Sequence, residues 1–183
     1  AVGAPTFAAS PLATSGIVTD PNGWLSYSDR ARIESAARDA RAKGITVDVV
    51  IVDDLSGIDG VEWCRQTLKK SGTTDGNIIY YLAYSQREDG ECVNGGSVSQ
   101  SARDNARRAA EAKLTSNPLT SSDGASGAVA FINSLTNAST SSPSATSRNS
   151  RRGNLIGGSF GPSIVVFLAL ITFGGIGFLI AST

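Results

Sequence analysis

The feature that most constrains this chain is an uncharged run of twenty residues near its C-terminal end, from 162 to 181. The run, PSIVVFLALITFGGIGFLIA, also lacks the polar stripe that a helix packed on a globular core would show. A helix of this length spans about 30 Å, the thickness of a bilayer's hydrocarbon core. We therefore expect one transmembrane helix over residues 160–182, preceded by a folded domain.

Composition excludes several classes of function. The 183 residues carry 16 basic and 16 acidic side chains, so no global field favours nucleic acid. The chain has no histidine and no methionine, which excludes Ser-His-Asp and Cys-His catalysis, histidine-ligated zinc and haem with those axial ligands. Two cysteines alone cannot build a zinc or iron–sulfur site. We expect no cofactor of these familiar kinds.

Membrane topology has two interpretations. The chain begins at Ala1, which fits either a cleaved export signal or a trimmed initiator methionine. Arg148, Arg151 and Arg152 precede the span and no charge follows it, so the positive-inside rule favours a cytosolic domain. These arginines also suit contact with anionic lipid headgroups. The two cysteines favour an oxidising compartment, and a domain committed by a signal peptide is exported regardless of such charges.

Composition divides the chain into four parts. Residues 1–16 are rich in Ala, Pro, Ser and Thr and predict an extended N-terminal arm. Residues 17–136 carry alternating strand and helix patterns, and residues 137–159 form a Ser, Thr and Arg-rich tether. Residues 160–182 form the membrane span.

The strand and helix patterns predict an α/β domain with a small central sheet sandwiched by helices. Apolar runs indicate strands at 45–52 and 78–84, with a weaker third strand at 92–99. A capping box, Ser26 with Asp29, opens the first helix, and Gly44 ends it. Three further helices are predicted by apolar periodicity at about 58–70, 101–114 and 124–135.

Four segments in register resemble the TPM-domain family. IVTDPNGWLS at 17–26 resembles its V-x-D-x-x-G-x-L-S opening, and GITVDVVIV at 44–52 resembles its G-x-x-I-x-V-V strand. DGNIIYYLA at 75–83 resembles D-N-G-V-L-L-L-V-A, and 124–135 resembles the closing helix. The family includes thylakoid-lumen proteins linked to photosystem repair, bacterial exported proteins and a modulator of an animal receptor channel. The resemblance implies a TPM-like fold over 17–136.

Two segments depart from the family pattern. Residues 71–75 replace a basic G-K-K segment, and residues 87–95 replace a turn of the G-Y-G-L-E-G type. The crevice between these loops is where the resemblance would place the family's proposed phosphatase or calcium chemistry. An activity inferred from the resemblance is therefore least supported at this crevice.

The two cysteines, Cys64 and Cys92, allow two interpretations. They are two buried thiols, or a disulfide that joins the second predicted helix to the third predicted strand. We favour the disulfide because Cys64 lies on the inward stripe of its helix, with Val61 and Leu68. A bridge that closes a loop of this length stabilises by about 3–4 kcal/mol. The spacing is unlike Cys-x-x-Cys, so a redox-active pair is not expected.

Acidic residues cluster near the ends of the predicted strands. Together they could hold Ca²⁺ or Mg²⁺ through oxygen ligands, or they serve as solvated turn and capping residues. We favour the second interpretation and expect solvated turns without the burial that raises carboxyl pKa values. The residues concerned are Asp53, Asp54, Asp75, Glu88, Asp89 and Glu91.

Two further clusters have a plain and a functional interpretation. Three basic residues of the third predicted helix indicate a solvated face: Arg103, Arg107 and Arg108. Three glycines of the membrane span either are tolerated in lipid or form a packing surface for a partner helix: Gly174, Gly175 and Gly177.

These patterns, with the resemblance, predict a non-catalytic accessory or assembly subunit of a larger integral membrane complex. We expect a single-pass protein of the cell membrane with its N-terminal domain on the exported, periplasmic side. By analogy with the family we expect the complex to be a respiratory-chain, electron-transport assembly. One alternative is an exported, membrane-anchored acid phosphatase that uses carboxylates and a divalent metal. A cytosolic tail-anchored adaptor is a third possibility.

Overall fold

The computed structural model describes residues 9–96 and 98–141. Four strands and four helices follow one another in this part of the chain: β1 (Val18–Thr19), α1 (Tyr27–Ala42), β2 (Val47–Val52), α2 (Gly60–Ser71), β3 (Ile78–Ala83), β4 (Glu88–Val93), α3 (Gln100–Glu111) and α4 (Ser121–Ser141).

The strands form one sheet in the order β1-β2-β3-β4. The first three strands are parallel, with Val47 opposite Ile78, whereas β4 is antiparallel to β3, with Ile78 opposite Val93. Every residue of β2 and β3 is buried, because helices cover both faces of the sheet at these strands. This burial explains the nearly continuous apolar runs in their sequences.

Helices cover the sheet on both sides, which confirms the predicted α/β sandwich. One face packs against α1, α3 and α4, and its core includes Ile33, Tyr80 and Phe131. The other face packs against α2 around Trp63. Part of the predicted N-terminal arm also covers this second face, since the Trp63 indole donates to the Ala9 carbonyl at 2.6 Å.

Side-chain caps determine where the helices begin. Ser26 is the N-cap of α1 as predicted, because its Oγ accepts the Asp29 amide at 3.1 Å, and the Asp29 carboxylate accepts the Ser26 hydroxyl at 2.7 Å. The sequence also carries a signal for α4 that periodicity alone misses. Thr120 Oγ1 accepts the amide of Asp123 at 3.2 Å, and the Asp123 carboxylate accepts the Thr120 amide at 2.9 Å.

Two strands differ from the prediction. The sequence predicts the third strand at 92–99, but β4 spans Glu88–Val93 and forms a hairpin with β3. Arg87, with φ of 55°, lies in the turn of this hairpin, and positive-φ glycines at 95 and 96 follow the strand. β1 was not predicted, because two residues carry no recognisable alternation.

α4 extends into the segment predicted as tether. The helix continues to Ser141 rather than ending near residue 136. Leu135 is fully buried, and Thr136 Oγ1 donates to the Ile132 carbonyl at 2.7 Å, so the helix is still packed at the predicted boundary. No helix in 9–96 or 98–141 is long and apolar enough to cross a bilayer. The predicted span, its glycines and the arginines before it lie outside the described residues.

Candidate functional site

The carboxyl ends of β1, β2 and β3 meet at one edge of the sheet, where open α/β sheets place their ligands. The residues that follow these ends are Asp20, Asp53 and Tyr84. Burial, followed by the negative charges of Asp53 and Asp20, raises the pKa of the Tyr84 phenol. The parallel register of the three strands places these residues at the same end of the sheet.

The carboxylates at this edge bind their own loops. Asp53 is 8% exposed and accepts a hydrogen bond from the Ser85 hydroxyl. Asp20 accepts the backbone amides of Trp24 at 3.0 Å and Leu25 at 2.9 Å, which shapes the loop between β1 and α1. These two side chains therefore hold the loops of the edge in place.

An aromatic pair forms the wall of a pocket beside these carboxylates. The rings of Trp24 and Tyr84 stack in parallel with centroids 4.5 Å apart. Arg87 donates to the carbonyls of Leu114 and Ser116, which fixes the opposite side. The pocket has a volume of about 390 Å³ and is lined by Trp24, Tyr84, Ser85, Arg87, Asn117, Pro118 and Leu119.

This pocket suits binding better than bond cleavage. Its lining offers ring faces, a proline and a few polar groups. Ser85 is the one serine of the lining and donates to the Asp53 carboxylate, but the chain has no histidine to complete a Ser-His-Asp triad. Sequence reasoning did not identify Trp24, Tyr84 or Asp20 as site residues. Asp20 and Tyr84 each directly follow the carboxyl end of a parallel strand, and that position is the signal that could have identified them. β1 is too short to be recognised in the sequence, so the signal was hidden at Asp20.

The predicted acidic residues do not form one cluster. Asp53 follows β2, whereas Asp75 precedes β3. Because the two strands are parallel, these residues lie at opposite strand ends of the sheet. Asp54 accepts the Ser56 amide at 2.7 Å in its own turn. Nowhere in the described part of the chain do three His, Cys, Asp or Glu residues come together in a way that could hold a metal ion.

Glu88, Asp89 and Glu91 lie in strand β4, not in the solvated turns that we expected. Asp89 Oδ2 accepts the Tyr80 hydroxyl at 3.1 Å, and burial raises the pKa of Asp89 to about 6. The expectation of an unshifted carboxyl is wrong at Asp89, because α3 and the sheet remove it from water. Burial and the charge of Glu88 likewise raise the pKa of Tyr81.

β4 also places Glu91 beside α3. Arg103 Nε donates to Glu91 Oε1 at 3.1 Å, and only 14% and 11% of their side chains are exposed. The predicted solvated face of α3 therefore holds for Arg107 and Arg108, which are exposed, but not for Arg103.

The two loops that depart from the family pattern do meet. They do so at the amino end of β3, the end of the sheet opposite Asp53. Asn94 Nδ2 donates to the Thr73 carbonyl at 3.0 Å and joins them. Beside this contact lies a second pocket of about 390 Å³, which we call the loop crevice. It is lined by Arg65, Leu68, Lys69, Gly72, Thr73, Val93 and Asn94. The lining is basic, so it does not resemble a cation site.

The predicted disulfide between Cys64 and Cys92 is confirmed. It joins α2 to β4, with a Cα–Cα distance of 5.9 Å. Cys64 and Leu68 face the sheet as expected, but Val61 is 55% exposed. Trp63 and Thr67 complete the buried face instead. Each directly precedes a predicted inward residue, Cys64 or Leu68, so the buried face of α2 is turned slightly from the predicted one.

Comparisons with known proteins support the fold. No protein-family model and no curated protein sequence matches the chain. The solution NMR structure of the N-terminal domain of the cg2496 protein from Corynebacterium glutamicum is similar, with 28% identity and a TM-score of 0.58. The match covers 83% of this chain and 99% of that domain.

A second N-terminal domain, from a P. gingivalis protein, has the same fold. Its TM-score is 0.57 at 14% identity, with 67% of this chain and 83% of that one covered. This second likeness concerns the fold alone.

Proposed function

We propose that this chain is a TPM-domain protein that acts as a non-catalytic accessory or assembly subunit. In this proposal residues 160–182 anchor it in the cell membrane beside a larger integral membrane complex, a respiratory-chain assembly being the specific candidate. The α/β domain lies on the exported, periplasmic face of that complex.

One observation carries the proposal: a domain of this fold is followed in the same chain by twenty uncharged residues. The two solved structures named above are N-terminal domains, so the fold stands ahead of further chain in those proteins as well. A disulfide in the domain suits an oxidising compartment, which supports the exported side.

The site residues support a binding role over a catalytic one. Asp53 and Asp20 are engaged with their own loops, and the pocket beside them is walled by an aromatic pair. Tyrosine and tryptophan side chains are enriched where a protein contacts another macromolecule.

The alternative is an exported acid phosphatase that uses carboxylates with Ca²⁺ or Mg²⁺. The observation that favours it is the pKa of Asp89, about 6, which lies in the range of a general acid. Asp89 is hydrogen-bonded to Tyr80 and does not line the pocket at the edge of the sheet. The enzyme proposal therefore ranks second.

Two measurements on the full chain test the proposal. After carbonate extraction, the protein is expected to remain with the membrane pellet. In detergent, hydrolysis of p-nitrophenyl phosphate at pH 5 and pH 7 is expected to stay at the buffer rate, with Mg²⁺, Ca²⁺ or EDTA. Turnover that EDTA abolishes, and that Asp53→Asn or Asp89→Asn removes, would put the phosphatase first. Release by carbonate would contradict the anchor.

A further inference from the structure

Strand β4 is an edge of the sheet. It pairs with β3 on one side, and within the described residues no strand pairs with its other side. An edge strand of six residues presents backbone N–H and C=O groups that can pair with another extended segment. Strand addition to such an edge is a common mode of peptide recognition.

A groove runs along this edge between two helices. Its volume is about 370 Å³; β4 forms the floor, and α2 and α3 form the walls. The lining includes the exposed side chain of Val61 on one wall and Arg107 on the other. The loop crevice shares Arg65, Leu68 and Val93 with this groove, so the two pockets adjoin. We call the two together the β4 groove.

The disulfide holds the β4 groove in shape. It links Cys64 of α2 to Cys92 of β4, which joins one wall covalently to the floor. The buried ion pair of Arg103 with Glu91 joins the other wall to the same floor. A groove fixed in this way loses little conformational entropy when a ligand binds.

The β4 groove is basic in a chain that is neutral overall. Four cationic side chains line it, Arg65, Lys69, Arg103 and Arg107, against two acidic ones, Glu91 and Asp104. Arg65 forms an exposed ion pair with Glu62, and Arg107 forms one with Glu111. Exposed ion pairs are weak, so a ligand can replace them.

Charge complementarity identifies the occupant. The chain's own segment from 142 to 161 carries three arginines and no acidic residue, so repulsion disfavours it. We propose that the β4 groove receives an extended, acidic segment of a partner protein, which adds to the sheet as a fifth strand. The inference deepens the accessory-subunit function and rests on it for the identity of the partner, but the binding itself does not need a membrane.

The test uses a fluorescein-labelled, eight-residue peptide of alternating valine and glutamate. It is titrated into the full chain in mild detergent, and binding is followed by fluorescence polarisation and by amide hydrogen exchange. We expect binding with slowed exchange in β4. A peptide with lysine in place of glutamate, and a glutamate peptide N-methylated at every residue, should not bind, because they lack the charge or the backbone donors.

Charge reversal supplies a matched pair of variants. Arg65→Glu reverses a cation that lines the groove, whereas Arg38→Glu reverses one in a similarly exposed helical ion pair of α1. We expect Arg65→Glu to weaken binding about five- to tenfold and Arg38→Glu to leave it unchanged. Both variants should keep the melting curve of the parent, since exposed ion pairs contribute little to stability.

Any of three results would overturn the proposal: no binding of the glutamate peptide, equal binding of the N-methylated peptide, or protection that lies outside β4. Failure of the accessory-subunit function gives a different pattern. In that case the protein separates from the membrane or turns over a phosphomonoester, while peptide binding in detergent is unaffected.

Discussion

Reduction of the disulfide between Cys64 and Cys92 gives the most quantitative test of the domain's architecture. The bridge joins residues 28 apart in sequence, and it connects α2 on one face of the sheet to the edge strand β4. Removing the link lets the unfolded chain expand. The loop-closure relation for this separation gives a loss of about 3.5 kcal/mol in the free energy of unfolding.

This loss is a large share of the total stability, because domains of this size are stable by only about 5–15 kcal/mol. It corresponds to a fall in Tm of about 10–15 °C. Local consequences should follow the covalent link. Amide exchange is expected to rise most in α2 and β4, whereas α1 and α4 pack on the other face of the sheet and should be least affected.

Equilibrium unfolding in guanidinium chloride, followed by tryptophan fluorescence, measures the effect. Trp63 is fully buried and Trp24 is partly buried, so both report on the domain. The oxidised protein is compared with protein whose reduction by phosphine has been verified by mass spectrometry. The control is Cys64→Ala with Cys92→Ala, which should be less stable than the oxidised protein and should not respond to reductant.

The reasoning would be refuted if verified reduction changed the free energy of unfolding by less than about 1 kcal/mol. It would also be refuted if the control variant lost stability on adding phosphine. The first result would mean that α2 and β4 are held together by packing without help from the bridge, and the second that phosphine acts on stability by a route other than the bridge.

Three further predictions concern single positions. The pKa of Asp89 is raised on folding, so its contribution to stability falls as pH rises from about 4 to about 6. Asp89→Asn should therefore stabilise the protein by about 1–2 kcal/mol at pH 7.5 and flatten this pH dependence, as measured by urea unfolding. Gly124→Ala should destabilise by about 1–3 kcal/mol in the same assay, since its Cβ would lie 2.5 Å from Trp24. Gly174→Leu with Gly177→Leu should preserve membrane insertion but reduce co-purification with the complex; unchanged co-purification would place the contact elsewhere.

Much of the fold could be predicted because its central elements have strong local signals. β2 and β3 are apolar on both faces, and α1 begins at the N-cap Ser26. β4 could not be recognised, since Glu88, Asp89 and Glu91 interrupt any apolar pattern. The strand tolerates them because it lies at the edge of the sheet, where α3 supplies Arg103 as a partner for Glu91.

The candidate site was less predictable, since it depends on which end of a strand a residue occupies. Asp53 and Asp75 both lie beside a strand in the sequence, but Asp53 follows its strand and Asp75 precedes its own. The two strands are parallel, so the two carboxylates are far apart. The shift at Asp89 arises from burial beneath α3 and from the Tyr80 hydroxyl, which are tertiary contacts. Cys64 and Cys92 were paired correctly because helical periodicity already placed Cys64 on the inward face.

The central claim is that this domain serves a larger membrane complex without catalysis of its own. The most direct measurement is purification of the full chain, in mild detergent, from membranes of cells that make it naturally. A chain ending at Ser141 is purified in parallel. We predict that the full chain elutes in constant proportion with multi-span membrane proteins, and that the shortened chain elutes without them. Elution of the full chain alone, or from the soluble fraction, would contradict the account.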